Sequence, residues 1–398
     1  MTRRHVGAAI AAALLTAACG APTDPVERAA TPPPSSPAAA DASRSPAAAA
    51  RAPGSSLPGM PPVLDRRDVY AATRPGRLSP VVRRFPSRVY VPNSESDTVD
   101  VIDPATYRVV AHFRVGGLPQ HVVPSWDLRT LWVNNNVGNT LTPIDPATGR
   151  PGRPVAVADP YNLYFTPDGQ FAVVMAERER RIDFRDPHTM ALRRSLPVPC
   201  RGVNHADFTA DGRSFVTSCE FSGELLRVDT ATQRLSAPPL RLPHADSMPQ
   251  DVKLAPDGSI FYVADMASNG LWEVDAASFR VVGFLPTGRG THGLYASRDS
   301  RYLYASNRGE GTVSVVSFAT RTVVRSWRIP GGGSPDMGGV SSDGKVLWLS
   351  GRYHGVVYAF DTATGRLRAK IPVGKGPHGL AVYPQPGRYS LGHTGVFR

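Results

Sequence analysis

The chain has 398 residues and carries 45 Lys and Arg against 33 Asp and Glu, which gives a formal net charge of +12. A basic exported domain could dock on anionic lipid or wall polymers, but the many arginines and few lysines are better explained by a GC-rich genome. The arginines are spread along the chain without a long basic run, so nucleic acid is not favoured as a partner. The three cysteines include no C-x-x-C-H motif, which excludes covalent attachment of a c-type haem.

The first 19 residues have the pattern of an export signal. Arg3 and Arg4 precede an apolar run, Val6–Ala18, that is too short to span a bilayer as a mature helix. The run ends L-T-A-A-C, and small residues leading into Cys19 resemble the lipobox of bacterial lipoproteins. We therefore expect lipidation at Cys19 and an extracytoplasmic protein anchored to the bacterial cell membrane. A cleaved signal followed by a free secreted protein is the alternative.

The next segment, residues 20–62, is rich in Ala, Pro, Ser and Thr and has almost no large apolar side chain. A segment of this composition cannot bury enough surface to fold, and its prolines make it semi-extended. We expect it to be a disordered tether that holds the rest of the chain off the membrane. Residues 63–84 are expected to lead into the folded domain.

A short phrase of the type D-x-A-T recurs through the rest of the chain at intervals of 41 to 46 residues. Its copies start at Asp103, Asp145, Asp186, Asp229, Asp275, Ser317 and Asp361. Each repeat holds four short apolar-alternating runs separated by Gly, Asp and Ser, which indicates a four-stranded antiparallel meander. The pattern predicts an all-β fold, a seven-bladed β-propeller over residues 85–398.

The ends of the repeat region indicate how the ring closes. The first repeat lacks the leading strand of the others, and the chain carries an extra copy of that strand at Pro377–Pro384. We expect this C-terminal strand to complete the first blade, which hides sheet edges that would otherwise be free.

Two cysteines remain after Cys19, and they flank one predicted hairpin. Cys200 precedes the leading strand of the fourth blade, and Cys219 ends the strand after the Asp211-Gly212 turn. These ends lie side by side in a hairpin, and an exported protein meets oxidising conditions. A Cys200–Cys219 disulfide is predicted; a buried free pair is the alternative.

The leading strands line the central channel of a propeller, with their first residues at one mouth. Aligned on P-H-G at 377–379, they place polar and titratable side chains at matching positions. This convergence predicts a ligand site formed by His121, Asn162, His205, Asp251, His292, Asp336 and His378. Imidazoles can hold a divalent metal or a haem iron, and the candidates are His121, His205, His292 and His378. Alternatively, these groups bind the loops between blades and trapped water in a wet channel.

Five of the other histidines are predicted on outer strands or loops, in contact with solvent. They are His112, His188, His244, His354 and His393.

Several segments resemble the exported propellers of the YVTN-repeat family. They include V-Y-V-P-N at 89–93, L-Y-A-S-N at 303–307 and V-G-K-G-P-H-G at 373–379. The resemblance covers roughly residues 85–384 and implies the propeller fold. It also implies a likeness to the haem-binding propeller of nitrite reductases, to quinoprotein amine dehydrogenase subunits and to lactonases, but it names no activity.

Three functional hypotheses follow. The first is an envelope-anchored monomer that binds a ligand, an envelope protein or an anionic polymer at its channel mouth. Under this hypothesis the protein is not expected to be an enzyme. The second is a haem- or metal-linked redox protein that uses the four channel histidines. The third is a lactonase, which the absence of an obvious Glu/Asn/Asp metal set disfavours. The sequence names no cofactor and assigns no catalytic residue.

Overall fold

The computed structural model describes residues 56–393 and 395–398. Within these residues, seven antiparallel sheets follow one another around a ring, and each consists mainly of four strands in meander order. Blades 1 to 7 are numbered here in the order of their second strands. The predicted seven-bladed β-propeller is confirmed.

The two strands nearest the axis of each blade are almost wholly buried. The inner strands of blades 1 to 7 are Ala381–Tyr383, Pro119–Pro124, Pro160–Phe165, Val203–Phe208, Pro249–Leu254, Thr291–Ala296 and Pro335–Val340. The second strands are Arg88–Asn93, Leu131–Asn135, Ala172–Ala176, Ser214–Cys219, Ile260–Asp265, Tyr302–Asn307 and Val346–Gly351.

The two strands farther from the axis become progressively more exposed. The third strands are Thr98–Asp103, Thr140–Asp145, Arg181–Arg185, Glu224–Asp229, Gly270–Asp275, Thr312–Ser317 and Val356–Asp361. The outer strands are Arg108–Arg114, Arg150–Pro151 with Val155–Ala156, Leu192–Pro197, Arg234–Leu235 with Leu240–Arg241, Arg280–Pro286, Thr322–Arg328 and Leu367–Pro372. Short 3-10 helices occupy Ala71–Thr73 and Glu220–Ser222.

Tight turns join the inner and second strands, as the Asp-Gly pairs predict. Gly212 and Gly258 have φ of 69° and 74°, a left-handed conformation that glycine adopts without steric cost. Asp211 and Asp257 each accept a hydrogen bond from the backbone two residues on, at Arg213 and Ser259. These side-chain acceptors hold the turn in the shape that the next strand requires.

Apolar side chains fill the space between neighbouring blades, and this packing continues across the point where the ring closes. Trp348 and Val357 of blade 7 belong to one buried cluster with Val89 and Val91 of blade 1. The closing strand Ala381–Tyr383 pairs antiparallel with the start of the second strand of blade 1. The predicted closure by the C-terminal strand is confirmed.

The chain continues beyond the closing strand into a hairpin that the sequence did not predict. Ser390–Gly392 and Val396–Phe397 pair with each other, and Gly392 pairs with Tyr164 on the inner strand of blade 3. Blade 3 therefore becomes a six-stranded sheet that extends into the channel. This C-terminal hairpin fills one end of the channel.

The segment before the first strand lies against the turns of blades 4 and 5. Leu57 is buried, and its amide donates to the Asp211 carbonyl at 2.8 Å. The Tyr70 hydroxyl donates to the Leu254 carbonyl at 2.6 Å. Ordered contacts thus begin before the expected lead-in at residue 63.

The predicted disulfide is confirmed: Cys200 and Cys219 are bonded, 19 residues apart in the chain. Both cysteines are buried in the cluster that joins blades 3 and 4. Closing a loop of this length stabilises the folded state by about 3 kcal/mol in the chain-entropy model. The bond therefore helps to fix blade 4, which carries His205.

Among the residues that the structure describes, no helix is long and apolar enough to cross a membrane. The predicted signal, its Cys19 and residues 20–55 of the predicted tether lie outside the described residues.

Candidate functional site

A β-bulge interrupts the start of the inner strand in most blades. The register shifts lie between Pro119 and Val122, Val203 and Ala206, Pro249 and Val252, Thr291 and Leu294, and Pro335 and Gly338. Bulged residues leave the regular ladder and locally redirect the strand. The bulges therefore allow the residues between these positions to turn toward the channel.

The predicted ligand residues lie at these bulges or at matching positions. His121, Asn162, His205, Asp251, His292, Asp336 and His378 are each exposed by no more than 2%. They lie inside the channel, below the level of its opening.

Four histidines form a compact imidazole cluster. The ring of His121 lies 5.6 Å from that of His205 and 4.9 Å from that of His378, centroid to centroid. A further ring, that of His393, lies 5.1 Å from His121 and 4.9 Å from His205.

The prediction that His393 lies in solvent was wrong. The residue is fully buried at the tip of the C-terminal hairpin, where its amide donates to the Leu163 carbonyl at 2.9 Å. No repeat position corresponds to His393, because the hairpin follows the closing strand and pairs with a distant blade. The one signal available in the sequence was the length of chain beyond the closing strand.

His121, His205 and His393 each offer a ring nitrogen, and these nitrogens all lie within 4.8 Å of one another. Among the residues that the structure describes, both ring nitrogens of His205 and Nε2 of His121 are buried without a hydrogen-bond partner. Nδ1 of His121 lies 2.9 Å from the Tyr161 carbonyl. A carbonyl can only accept, so Nδ1 carries the proton and Nε2 keeps a free lone pair.

His393 is oriented by side chains of two blades. Its Nδ1 lies 3.0 Å from the side-chain nitrogen of Asn162, and its Nε2 lies 3.6 Å from Oδ1 of Asp251. The Asp251 carboxylate also accepts hydrogen bonds from the amides of Val252 and Leu294. A carboxylate beside a metal-binding imidazole is a common means of fixing its orientation.

Burial keeps the three imidazoles neutral. It lowers the pKa of His205 and of His121 well below the ordinary value, and neighbouring histidines lower both pKa values further. Burial also lowers the pKa of His393, although Asp251 opposes this shift. Neutral imidazole is the form that binds metal ions.

The other two predicted metal-binding histidines are engaged elsewhere. Nδ1 of His378 lies 2.8 Å from Oδ2 of Asp336, and Nδ1 of His292 lies 3.0 Å from Oδ1 of the same carboxylate. Arg308 adds an ion pair to Asp336 at 3.2 Å. Burial opposes ionisation of Asp336, but these basic groups outweigh it and hold the pKa of the carboxyl well below its usual range. His292 and His378 are therefore bound to an acid, and they lie one repeat position before His121 and His205.

Comparison with known proteins agrees with this architecture. The model of the YncE-like β-propeller family matches residues 74–387. No curated protein matches the chain. The YVTN-repeat resemblance stays a prediction.

Solved structures of similar fold have low sequence identity. Hydrazine synthase from Kuenenia stuttgartiensis matches with TM-score 0.61 at 19% identity, over 74% of this chain and 97% of that one. A functionally unknown protein from Desulfotomaculum acetoxidans matches with TM-score 0.64 at 16% identity, over 74% and 98%. The dihydro-heme d1 dehydrogenase NirN, in complex with DHE, matches with TM-score 0.57 at 13% identity, over 77% of each chain. These similarities establish the fold alone.

Proposed function

This chain belongs to the YncE-like β-propeller family, and we propose that it is a cell-envelope lipoprotein whose channel binds a divalent transition-metal ion. The ligands are His121, His205 and His393. The proposal refines the sequence-based hypothesis of a ligand-binding propeller, and it replaces two of the four expected metal ligands with a residue of the C-terminal hairpin.

The observation that carries the proposal is the state of His205. Its imidazole is fully buried, and neither ring nitrogen has a hydrogen-bond partner within residues 56–393 and 395–398. A buried polar group without a partner costs about 1–3 kcal/mol. A metal ion at the meeting point of the three imidazoles would give one nitrogen of His205 a partner and would use the free lone pair of His121.

The donor set indicates which ions fit. Imidazole nitrogens suit zinc, copper and nickel, whereas calcium and magnesium prefer oxygen ligands. Three protein ligands leave a coordination position open to water or to a small ligand. The channel opens on the side of His292 and His378, so that position would be reached from above.

A haem does not fit at this level of the channel. The ring of His121 lies 4.9 to 5.6 Å from those of His205, His378 and His393, and the rings of His205 and His393 are 4.9 Å apart, at contact distance for aromatic groups. The C-terminal hairpin occupies the space below them. No room remains between these imidazoles for a macrocycle.

Metal binding is tested with the purified full chain, freed of metal by chelator and titrated with Zn²⁺ and Cu²⁺ in a calorimeter. We expect one ion per chain, and a loss of at least about 100-fold in affinity for His205→Asn, since changes in outer partners alone cost 10- to 100-fold. His244→Gln, at an exposed loop position, serves as the matched control and should bind as the parent does.

The Cu²⁺ complex gives a second readout, because its electron paramagnetic resonance spectrum reports the number of bound nitrogens. Three nitrogens are expected in the parent and two in His205→Asn. Sub-stoichiometric binding, or binding that is unchanged by His205→Asn, would contradict the assignment.

The proposed envelope location depends on Cys19. The disulfide supports an oxidising compartment, and the L-T-A-A-C pattern supports lipidation. We expect Cys19→Ser to move the protein from the membrane pellet to the soluble fraction and to abolish palmitate labelling. Thr16→Leu, which restores the usual lipobox residue, should leave both unchanged; labelling that persists in Cys19→Ser would refute the anchor.

A further inference from the structure

One residue follows the second strand of each blade, at the end of the sheet where the inner strand begins, and these seven residues form a rim around that end of the channel. In blade order this rim consists of Ser94, Asn136, Glu177, Glu220, Met266, Arg308 and Arg352. Its charges are divided: blades 3 and 4 contribute two acids, and blades 6 and 7 contribute two bases. In a ring of seven blades these pairs stand on nearly opposite sides.

The acidic side has an unused acceptor. Oε1 of Glu177 is buried and has no hydrogen-bond partner in the described part of the chain, while Glu220 accepts a hydrogen bond from Asn204 at 2.9 Å. Burial raises the pKa of Glu177 to about 8, and Glu220 and Asp159 add to the shift. A positive group in this position would offset the cost of burying the Glu177 carboxylate and would reduce the repulsion between the two acids.

The basic side has an unused donor. Arg308 is held by Asp336, and its guanidinium lies 5.5 Å from the centroid of the Tyr353 ring. Arg352 differs: among the described residues its guanidinium has no ion pair, and its Nη1 is buried without a partner. Its charge reaches the channel, because it lowers the pKa of His378, which burial already depresses.

The two sides flank a channel that is narrow at the level of the histidines. The ring of His292 in blade 6 lies 6.2 Å from that of His205 in blade 4, and the ring of His378 lies 4.9 Å from that of His121. Burial raises the pKa of Tyr161, Glu177 and Glu220 raise it further, and Arg352 opposes them. Asp336 and, more weakly, Glu220 raise the pKa of Arg308 against the effect of burial. A small molecule can therefore contact both sides at once.

We propose that this rim binds a small zwitterion, whose ammonium group lies against Glu177 and Glu220 and whose carboxylate is bound by Arg352. A simple anion would pair with Arg352 but would be repelled by the two acids. A simple cation would pair with the acids but would be repelled by Arg352. A molecule with both charges matches the rim, as opposite charges do across specific interfaces. The ligand class is an amino acid, an ω-amino acid or a short peptide.

The probe is a series of ω-amino acids of increasing chain length, titrated by calorimetry into the full chain freed of metal. Binding should pass through a maximum at the length that spans the rim. N-acetylation or conversion of the carboxylate to an amide should weaken binding roughly 10- to 100-fold, because each removes a charged hydrogen bond.

Variants assign each end of the ligand. Arg352→Gln should weaken the zwitterion and its N-acetyl form alike, whereas Glu177→Gln should weaken only ligands that keep the ammonium group. Glu95→Gln and Arg289→Gln change exposed charges on loops of the same face and should have no effect.

A pH series adds an independent check. Glu177 faces Glu220, Asp159 and Arg178, and it ionises as pH rises through about 8. Affinity for the zwitterion should therefore increase from pH 6 to 9 in the parent and stay level in Glu177→Gln.

Two outcomes would overturn the proposal. One is that N-acetyl forms bind as tightly as the parent compounds, which would make the rim a plain anion site. The other is that no member of the series binds. These titrations use protein without metal, so their result is independent of the metal titration. The rim can fail to bind a zwitterion although the histidine site binds its ion, and the histidine site can fail although the rim binds.

Discussion

Replacing Arg398 with methionine is expected to lower the free energy of unfolding by about 3–5 kcal/mol, the usual cost of breaking a buried ion pair. Nη2 of Arg398 lies 3.0 Å from Oδ1 of Asp207, and the Asp207 side chain is fully buried on the inner strand of blade 4. The guanidinium also lies 4.8 Å from the centroid of the Tyr70 ring. The variant leaves a buried carboxylate without its cation.

Urea unfolding of the single and double variants measures this effect. Arg398→Met combined with Asp207→Asn should recover part of the loss, since no unpaired charge remains, although Asp207 also accepts from the amides of Phe208 and Leu254. Arg388→Met, at an exposed position of the same segment, should change stability by less than about 0.5 kcal/mol. A double variant whose loss equals the sum of the single losses would show that the pair does not interact.

The contact also bears on function, because Arg398 is at the end of the C-terminal hairpin that carries His393. Loosening that end frees the hairpin from blade 4. We therefore expect Arg398→Met to reduce metal affinity as well.

The second large effect is expected from Gly379→Ala, a change of one methyl group beside His121. A Cβ at this position would lie 2.0 Å from Cδ2 of the His121 ring and 3.0 Å from the Gln120 carbonyl oxygen. The backbone cannot retreat easily, since the Gly379 amide donates to Gln120 and its carbonyl accepts from Val122. The imidazole must move instead.

Displacement of His121 should lower metal affinity about 10- to 100-fold or more, and overpacking should lower stability by about 1–3 kcal/mol. Zn²⁺ titration and urea unfolding measure the two effects separately. Gly339→Ala is the matched control, because its Cβ would meet its nearest neighbour, Cγ2 of Val382, at an ordinary 3.5 Å. Unchanged metal affinity in a folded Gly379→Ala variant would argue against His121 as a ligand.

The repeat pattern was sufficient to predict the architecture. Each unit of 41 to 46 residues carries the signals of one four-stranded meander. Most units have an Asp-Gly pair at a turn, and all have alternating apolar residues in the strands. The missing first strand and the extra last one then required closure, and the Cys200–Cys219 bond followed from the geometry of one hairpin.

The sequence also predicted which side chains would line the channel, because every inner strand carries them at one of two adjacent repeat positions. It did not predict that the four channel histidines would separate into two groups with different partners. His292 and His378 share Asp336, whereas His121 and His205 lie beside the C-terminal hairpin, and this division depends on which side chains face each other across the axis.

The sequence by itself therefore determined the number of blades, their strand order, the closure and the inner-strand positions, since all of these are local or periodic properties. Only the tertiary structure decided that His393 joins His121 and His205, and that the acids and bases of the rim face one another. The physical reason is that both arrangements depend on contacts between residues far apart in the chain. Gly392 pairs with Tyr164 over a separation that no repeat spacing sets. Glu177 and Arg352 occupy the same repeat position in blades 3 and 7, but their opposite effects on the pKa of Tyr161 depend on how the blades face one another.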